Sequence, residues 1–168
     1  MVSRPNDPVD KILAQWARER PDLDVSPMGL IGRTTRLANY LRKAIGQTFA
    51  EFGLLPGEFD VLATLRRSGS PYQLSPTELF KSMMVSSGTM TNRIDRLESS
   101  ALVRRIPDPG DRRGTLICLT DKGFELIAAA VTAHVANANR IHEALDDSEK
   151  EALAQLLSKL LLSFEETP

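Results

Sequence analysis

The stretch Ser86–Glu98, SSGTMTNRIDRLE, carries two arginines three positions apart, Arg93 and Arg96, among small hydroxyl and amide side chains. Guanidinium groups pair with phosphates, carboxylates and base edges, and Asn, Ser and Thr bond to the same partners. Set on a helix at about 100° per residue, Met90, Ile94, Leu97 and Ala101 share one side and form a buried stripe. Gly88, Asn92, Asp95 and Ser99 lie opposite, with Thr89 and Arg96 on the flank. That surface suits a major groove, which makes Arg96 a candidate DNA contact. Arg93 falls about 60° from the centre of the buried stripe, so it points along the protein. It either pairs with a nearby carboxylate or anchors a ligand inside the helix that reads DNA.

A second basic pair stands in DPGDRRG, Asp108–Gly114. Proline, aspartate and glycine mark a tight reversal there, between the strand-like runs LVRRI and GTLICLT. Arg112 and Arg113 therefore sit at a hairpin tip, where one guanidinium can enter a narrow minor groove. Asp108 or Asp111 can hold the other. Such a turn in isolation is a solvated charged loop; behind a helix pair it reads as a wing.

The helix pair has its own signals. Ser75–Glu78, SPTE, is a capping box with Pro76 at the first helical position, opening a short helix before Ser86 caps the next. Two helices at this separation, the second polar on one face, predict a helix-turn-helix. Ser75, Thr77, Ser86, Ser87, Thr89 and Asn92 join Arg96, Arg112 and Arg113 as candidate DNA contacts. Upstream, Asp7-Pro8 starts a short helix over residues 7–20, and residues 28–53 carry apolar or small residues at threes and fours, ending at Gly53. Pro56 and Gly69 bound another helix. Downstream, Thr120 caps a long helix with Phe124, Ile127, Val131, Val135, Ala138 and Ile141 on one face. A last helix from Asp146 bears Leu153, Leu156, Leu157, Leu160, Leu161 and Phe164. The expected fold is mainly α with a small β-wing: a winged core over 56–119, flanked by terminal helices. A small winged domain cannot cover those stripes alone, so residues 28–53 and 120–165 are expected to dimerise; an intramolecular bundle is the alternative.

Bulk composition fits one soluble domain: 168 residues, 42% hydrophobic, 26% charged, net charge −1. Charge is uneven, however. Ser75–Leu119 holds seven Lys/Arg against five acids, whereas from Thr120 onward nine acids face four bases. A basic centre beside an acidic end can bind DNA in a near-neutral chain. No apolar run resembles a leader or a membrane span, so a cytoplasmic location is the default expectation. The two histidines, His134 and His142, are eight apart on the long helix, too far for one metal without help, and are expected on a helix surface or interface. No HExxH, CxxC or nucleophile-elbow pattern supports an enzyme. Neither a catalytic group, a metal nor a cofactor is expected. The single Cys118 lies in a strand-like run and reads as a buried small hydrophobe, with a redox switch as the alternative.

The run from Leu74 to Thr120, with SSGTMTNRIDRLE and DPGDRR followed by LT, resembles the winged helix-turn-helix core of the MarR family of bacterial transcription regulators. The resemblance implies an obligate homodimer, a pseudo-palindromic double-stranded operator, and usually repression relieved by a small ligand. WARERPD on the added first helix, GEFDVLATLRR and SPYQLSPTEL are similar to the urate-responsive, PecS/UrtR-type branch. That branch implies a ligand pocket made of Trp16, Asp60, Arg93 and Arg105. A flat purine anion needs a π face and cationic donors, which an indole and two guanidiniums supply. Relatives with similar cores answer to other anions such as carboxylates, and a constitutive DNA binder without effector also stays open.

Overall fold

The computed structural model describes residues 6–83 and 90–165. Among them run α1 (Pro8–Glu19), α2 (Ser26–Ala50), α3 (Pro56–Arg67), β1 (Gln73–Leu74), α4 (Pro76–Ser82), α5 (Met90–Ser99), β2 (Val103–Asp108), β3 (Asp111–Leu119), α6 (Asp121–Ile141) and α7 (Asp147–Glu165). The fold is therefore mainly α with a β-wing. No described helix is long and apolar enough to cross a membrane. Two compact units divide the chain, Met1–Ala44 and Ile45–Pro168.

In the first unit, Asp7 caps α1 by accepting from the Val9 and Asp10 amides, with Pro8 at the first helical position. Arg33 on α2 grips this end: its Nε and Nη2 lie 2.7 Å from Asp7 and Asp10 carboxylate oxygens. Val9 is buried beside Gly32, where no side chain intervenes. The α1 helix is thus fastened by a polar clasp around a small apolar contact.

The second unit holds the core. Val61, Leu62 and Leu65 of α3 meet Leu79 of α4, Leu97 of α5, Val103 and Ile117 of the sheet, and Ile127 of α6, all fully buried. The sheet runs in the order β1-β3-β2, all antiparallel. Val103 pairs with Leu119 at the root of the hairpin and Asp108 with Asp111 at its tip, after an irregularity at Pro107/Asp108. The Gly110 amide donates to Asp108 Oδ1 at 2.8 Å, which fixes the reversal. Strand β1 was not legible as a strand: two residues show no alternation, and it exists because Gln73 and Leu74 pair with Cys118 and Ile117. Cys118 is buried, as its strand suggested.

Two joints fix α6 against the core. Arg66 at the end of α3 stacks over Phe124 of α6 at 4.1 Å and over Tyr72 at 5.1 Å. At the start of α6, Thr120 caps the helix and donates to the Ala101 carbonyl at 2.8 Å. A Cβ on Gly123 would stand 1.9 Å from the Leu102 carbonyl oxygen, so only glycine allows this approach.

The α6 stripe differs from the sequence expectation. Ile127 and Ala130 are buried, but Val135 is 52% exposed and Asn137 is buried instead. Coverage of α6 by this chain is uneven beyond Ala130, and apolar periodicity alone does not say which positions of a helix stay covered. His134 is also corrected. Its ring packs 5.3 Å from Phe49 and 5.4 Å from Phe59, and its buried Nδ1 has no hydrogen-bond partner among the described residues.

Candidate nucleic-acid interface and effector site

Helix α5 buries Ile94 and Leu97, leaves Met90 partly buried, and exposes Asn92, Asp95 and Arg96. The face assigned to DNA is therefore the outward one. Ser86, Ser87 and Thr89 lie outside the described residues, as do the side chains of Arg112 and Arg113, whose backbone belongs to β3. Thr77 is exposed at the start of α4. Ser75 is committed to the cap of that helix: its hydroxyl accepts from the Glu78 amide at 3.2 Å and donates to Glu78 Oε2 at 2.7 Å.

The two arginines of the opening motif part company, as their helical phase requires. Arg93 is half-buried and lies flat on the first turn of α3: a Cβ on Gly57 would stand 2.4 Å from its Cζ and Nε. The half-buried Asp60 sits one turn further along α3. Burial pushes its carboxyl pKa up, and the positive charges of Arg93 and Arg67 pull it back only part of the way. Arg96 is 59% exposed, yet its Nε lies 2.8 Å from Oε1 of Glu58, a carboxylate whose side chain is only 6% exposed. Leu55, Gly57, Glu58, Asn92, Arg93 and Arg96 line a cleft of about 210 Å³ between α3 and α5.

Arg105 goes elsewhere. Its guanidinium pairs with Glu98 and with Asp95, and its backbone N–H donates to Glu98 Oε1 at 3.0 Å. Those partners stand roughly 140–160° around α5 from Arg93, so the wing arginine braces the opposite flank. Its carboxylate partners raise its pKa above the usual arginine value, Asp95 foremost. A second cleft of about 520 Å³ opens on that flank, lined by Thr77, Phe80, Thr91 and Arg105 among others. Trp16 belongs to the first unit and is 42% exposed on α1.

Of the four effector residues named from sequence, Asp60 and Arg93 therefore come together, and Arg105 is carried to Asp95 and Glu98. Sequence reading named His134 without placing it near Asp60, and it did not find Gly57, Glu58 or Arg67. A signal existed for Glu58, which stands two after Pro56 where a capping carboxylate is common, but its second oxygen's partner is 38 positions away.

Comparison with known proteins decides the lineage. The MarR family model matches residues 54–115. The HTH-type transcriptional regulator PecS of Dickeya dadantii is 43% identical over 152 residues, covering 90% of this chain and 92% of that protein. The chain belongs to the MarR family. This MarR-family chain is accordingly a DNA-binding transcription regulator and not an enzyme. Solved relatives include a mutant Escherichia coli MarR complexed with operator DNA, with TM-score 0.69 and 26% identity, covering 83% of this chain and 99% of that one. BpsR of Bordetella bronchiseptica, described for regulation of its DNA binding by 6-hydroxynicotinic acid, aligns with TM-score 0.67 and 27% identity over 77% of this chain and 91% of that one.

Proposed function

We propose that this regulator is a homodimeric repressor that leaves a pseudo-palindromic operator when an anionic small molecule, urate or a related purine, binds. The observation that carries the reading is the fork within α5. Arg96 faces outward, while Arg93, on the same helix, turns in toward Gly57 and Asp60. A charge placed there can be felt by the helix that reads DNA.

The sequence of events follows from charge. An incoming anion repels Asp60 and attracts Arg93, so the guanidinium shifts from its seat and α5 moves with it. Arg105 is the second arm: an anion reaching it competes with Asp95 and Glu98 and frees β2 from the opposite flank of α5. The resemblance to the urate-responsive branch assigns the aromatic face for a planar purine to Trp16. The similarity to PecS supports a PecS-type response, and the regulation of BpsR by 6-hydroxynicotinic acid supports control by a small aromatic acid.

Dimerisation rests on uncovered apolar surface. Helix α7 buries no residue and exposes Leu156, Leu157, Leu160, Leu161, Leu162 and Phe164. Leu30, Ile31, Leu37 and Tyr40 of α2 are exposed as well. Apolar stripes of this extent mark an interface, and twofold pairing would present two copies of α5 about one DNA turn apart.

The test is binding to a duplex that the wild-type protein recovers from a random-sequence library, titrated with urate, xanthine or citrate. Urate should weaken binding about 5- to 150-fold, the range of a typical coupling of roughly 1–3 kcal/mol. Arg93→Ala and Trp16→Ala should bring the response below about twofold. Undiminished urate release in Arg93→Ala would refute the mechanism, and release by citrate but not urate would move the effector to carboxylates.

A further inference from the structure

Among the described residues three helices carry a capping glutamate at the third position: Glu58 on α3, Glu78 on α4 and Glu149 on α7. Each accepts the amide of its own cap residue at 2.8 or 2.9 Å. Glu78 and Glu149 do this from exposed positions. Glu58 alone is buried, and its second oxygen is spent on another helix, at Arg96. Capping does not require that burial. A desolvated carboxylate is costly unless a cation answers it, so the ion pair with Arg96 needs a reason beyond the end of α3.

The atoms involved supply one. A guanidinium has one N–H on Nε and four on its two terminal nitrogens. In this protein the Glu58 carboxylate lies on the Nε side, with Oε1 2.8 Å away, while the side chain as a whole stays 59% exposed on the outward face of α5. With the carboxylate on its Nε side, the exposed end of the guanidinium faces outward for the end-on, two-pronged contact that arginine makes with O6 and N7 of guanine. The ion pair also removes rotamer freedom before binding, which would otherwise be lost on the DNA. An arginine held this way acts as a fixed fork. One swinging freely would serve as well on any phosphate.

We propose that Glu58, buried on α3 and remote in sequence from the reading helix, is a positioning residue for base selection: its ion pair holds the Arg96 guanidinium so that the terminal nitrogens meet a guanine in each operator half-site. This rests on Arg96 as a DNA contact. Glu58 itself touches no DNA; it sets which base Arg96 accepts.

The experiment is selection from a random-sequence duplex library with wild type, Glu58→Gln, Arg96→Lys and the double variant, alongside binding to a non-selected duplex of equal length. In Glu58→Gln the amide oxygen can still accept the Leu55 amide and keep the cap, but the negative charge that pairs with Arg96 is gone, and the grip is lost. Wild type should prefer guanine at one symmetric pair of positions by about tenfold or more, the worth of a good bidentate contact. Glu58→Gln should cut that preference to below about threefold, with the rest of the recovered motif kept and affinity for the non-selected duplex within about twofold. Arg96→Lys keeps the charge without the fork and should match it, and the double variant should lose nothing more. A structural role alone would lower all affinities together. Full guanine preference in Glu58→Gln overturns the proposal; should that variant fail to fold, full preference in the exposed Arg96→Lys overturns it equally. A wild type that recovers no motif would instead bring down the DNA reading beneath it.

Discussion

Helices α3 and α7 are both leucine-bearing amphipathic segments, and they meet opposite fates. In its 12 residues α3 buries Glu58, Phe59, Val61, Leu62, Thr64 and Leu65. In its 19 residues α7 buries none. The first is completed by its own chain: α4, α5, the sheet and α6 all close on it. In the second, Leu156, Leu157, Leu160, Leu161, Leu162 and Phe164 all stay exposed. Apolar periodicity thus says that a helix face will be covered, without saying by which chain. The DNA-reading centre is self-sufficient in one copy, and the terminal helix is an offer to another.

The sharpest way to break this contrast is to charge the uncovered helix. Leu157→Glu with Leu161→Glu should leave the monomer folded, since neither side chain is buried, yet abolish the dimer in sedimentation. Operator affinity should fall by about 10²-fold or more, because a second half-site no longer adds avidity. A dimer that survives both charges would assign α7 another role. The converse change is Leu62→Ala in α3, where the side chain is fully buried. It should cost about 2–5 kcal/mol of unfolding free energy, read by denaturant melts at several protein concentrations. The smallest effect concerns the one acid that α3 half-buries without an ion pair of its own. Asp60 should titrate above the ordinary carboxylate range by NMR, and Arg93→Ala should raise it further by removing a charge that holds it down. With a raised pKa, the folded state binds more protons than the unfolded chain between the ordinary and the raised value. Asp60's contribution to stability is thus favourable below that window and declines as pH rises through it. A downward shift in Arg93→Ala would mean that the two groups do not face each other.

Much of this was legible locally. Asp7-Pro8, Ser75–Glu78, Thr120 and Asp146 with Glu149 announce helix starts through bonds that span three residues, and the wing is announced by Asp108, Pro109 and Gly110 in its turn. Helical phase separated Arg93 from Arg96 before any coordinates, and the half-buried and exposed states agree with it. What sequence could not supply is pairing across the fold. That Arg96 is answered by Glu58, and Arg105 by Asp95 and Glu98, depends on how α3 and β2 lie against α5. The same holds for His134, whose position beside Phe49 and Phe59 follows from where α6 lands. A residue's face can be computed from spacing; its neighbour on another element cannot.

The contact between Gly123 and the Leu102 carbonyl has a mechanical corollary. It seats the foot of α6 directly on the bend that joins reading helix and wing, with no side chain to cushion it. A 21-residue rod is roughly 31 Å long, so a swing of ~5° about that seat carries its tip by ~3 Å. The pitch of the wing and the bearing of the rod become a single variable, and any alanine at the pivot would decouple them.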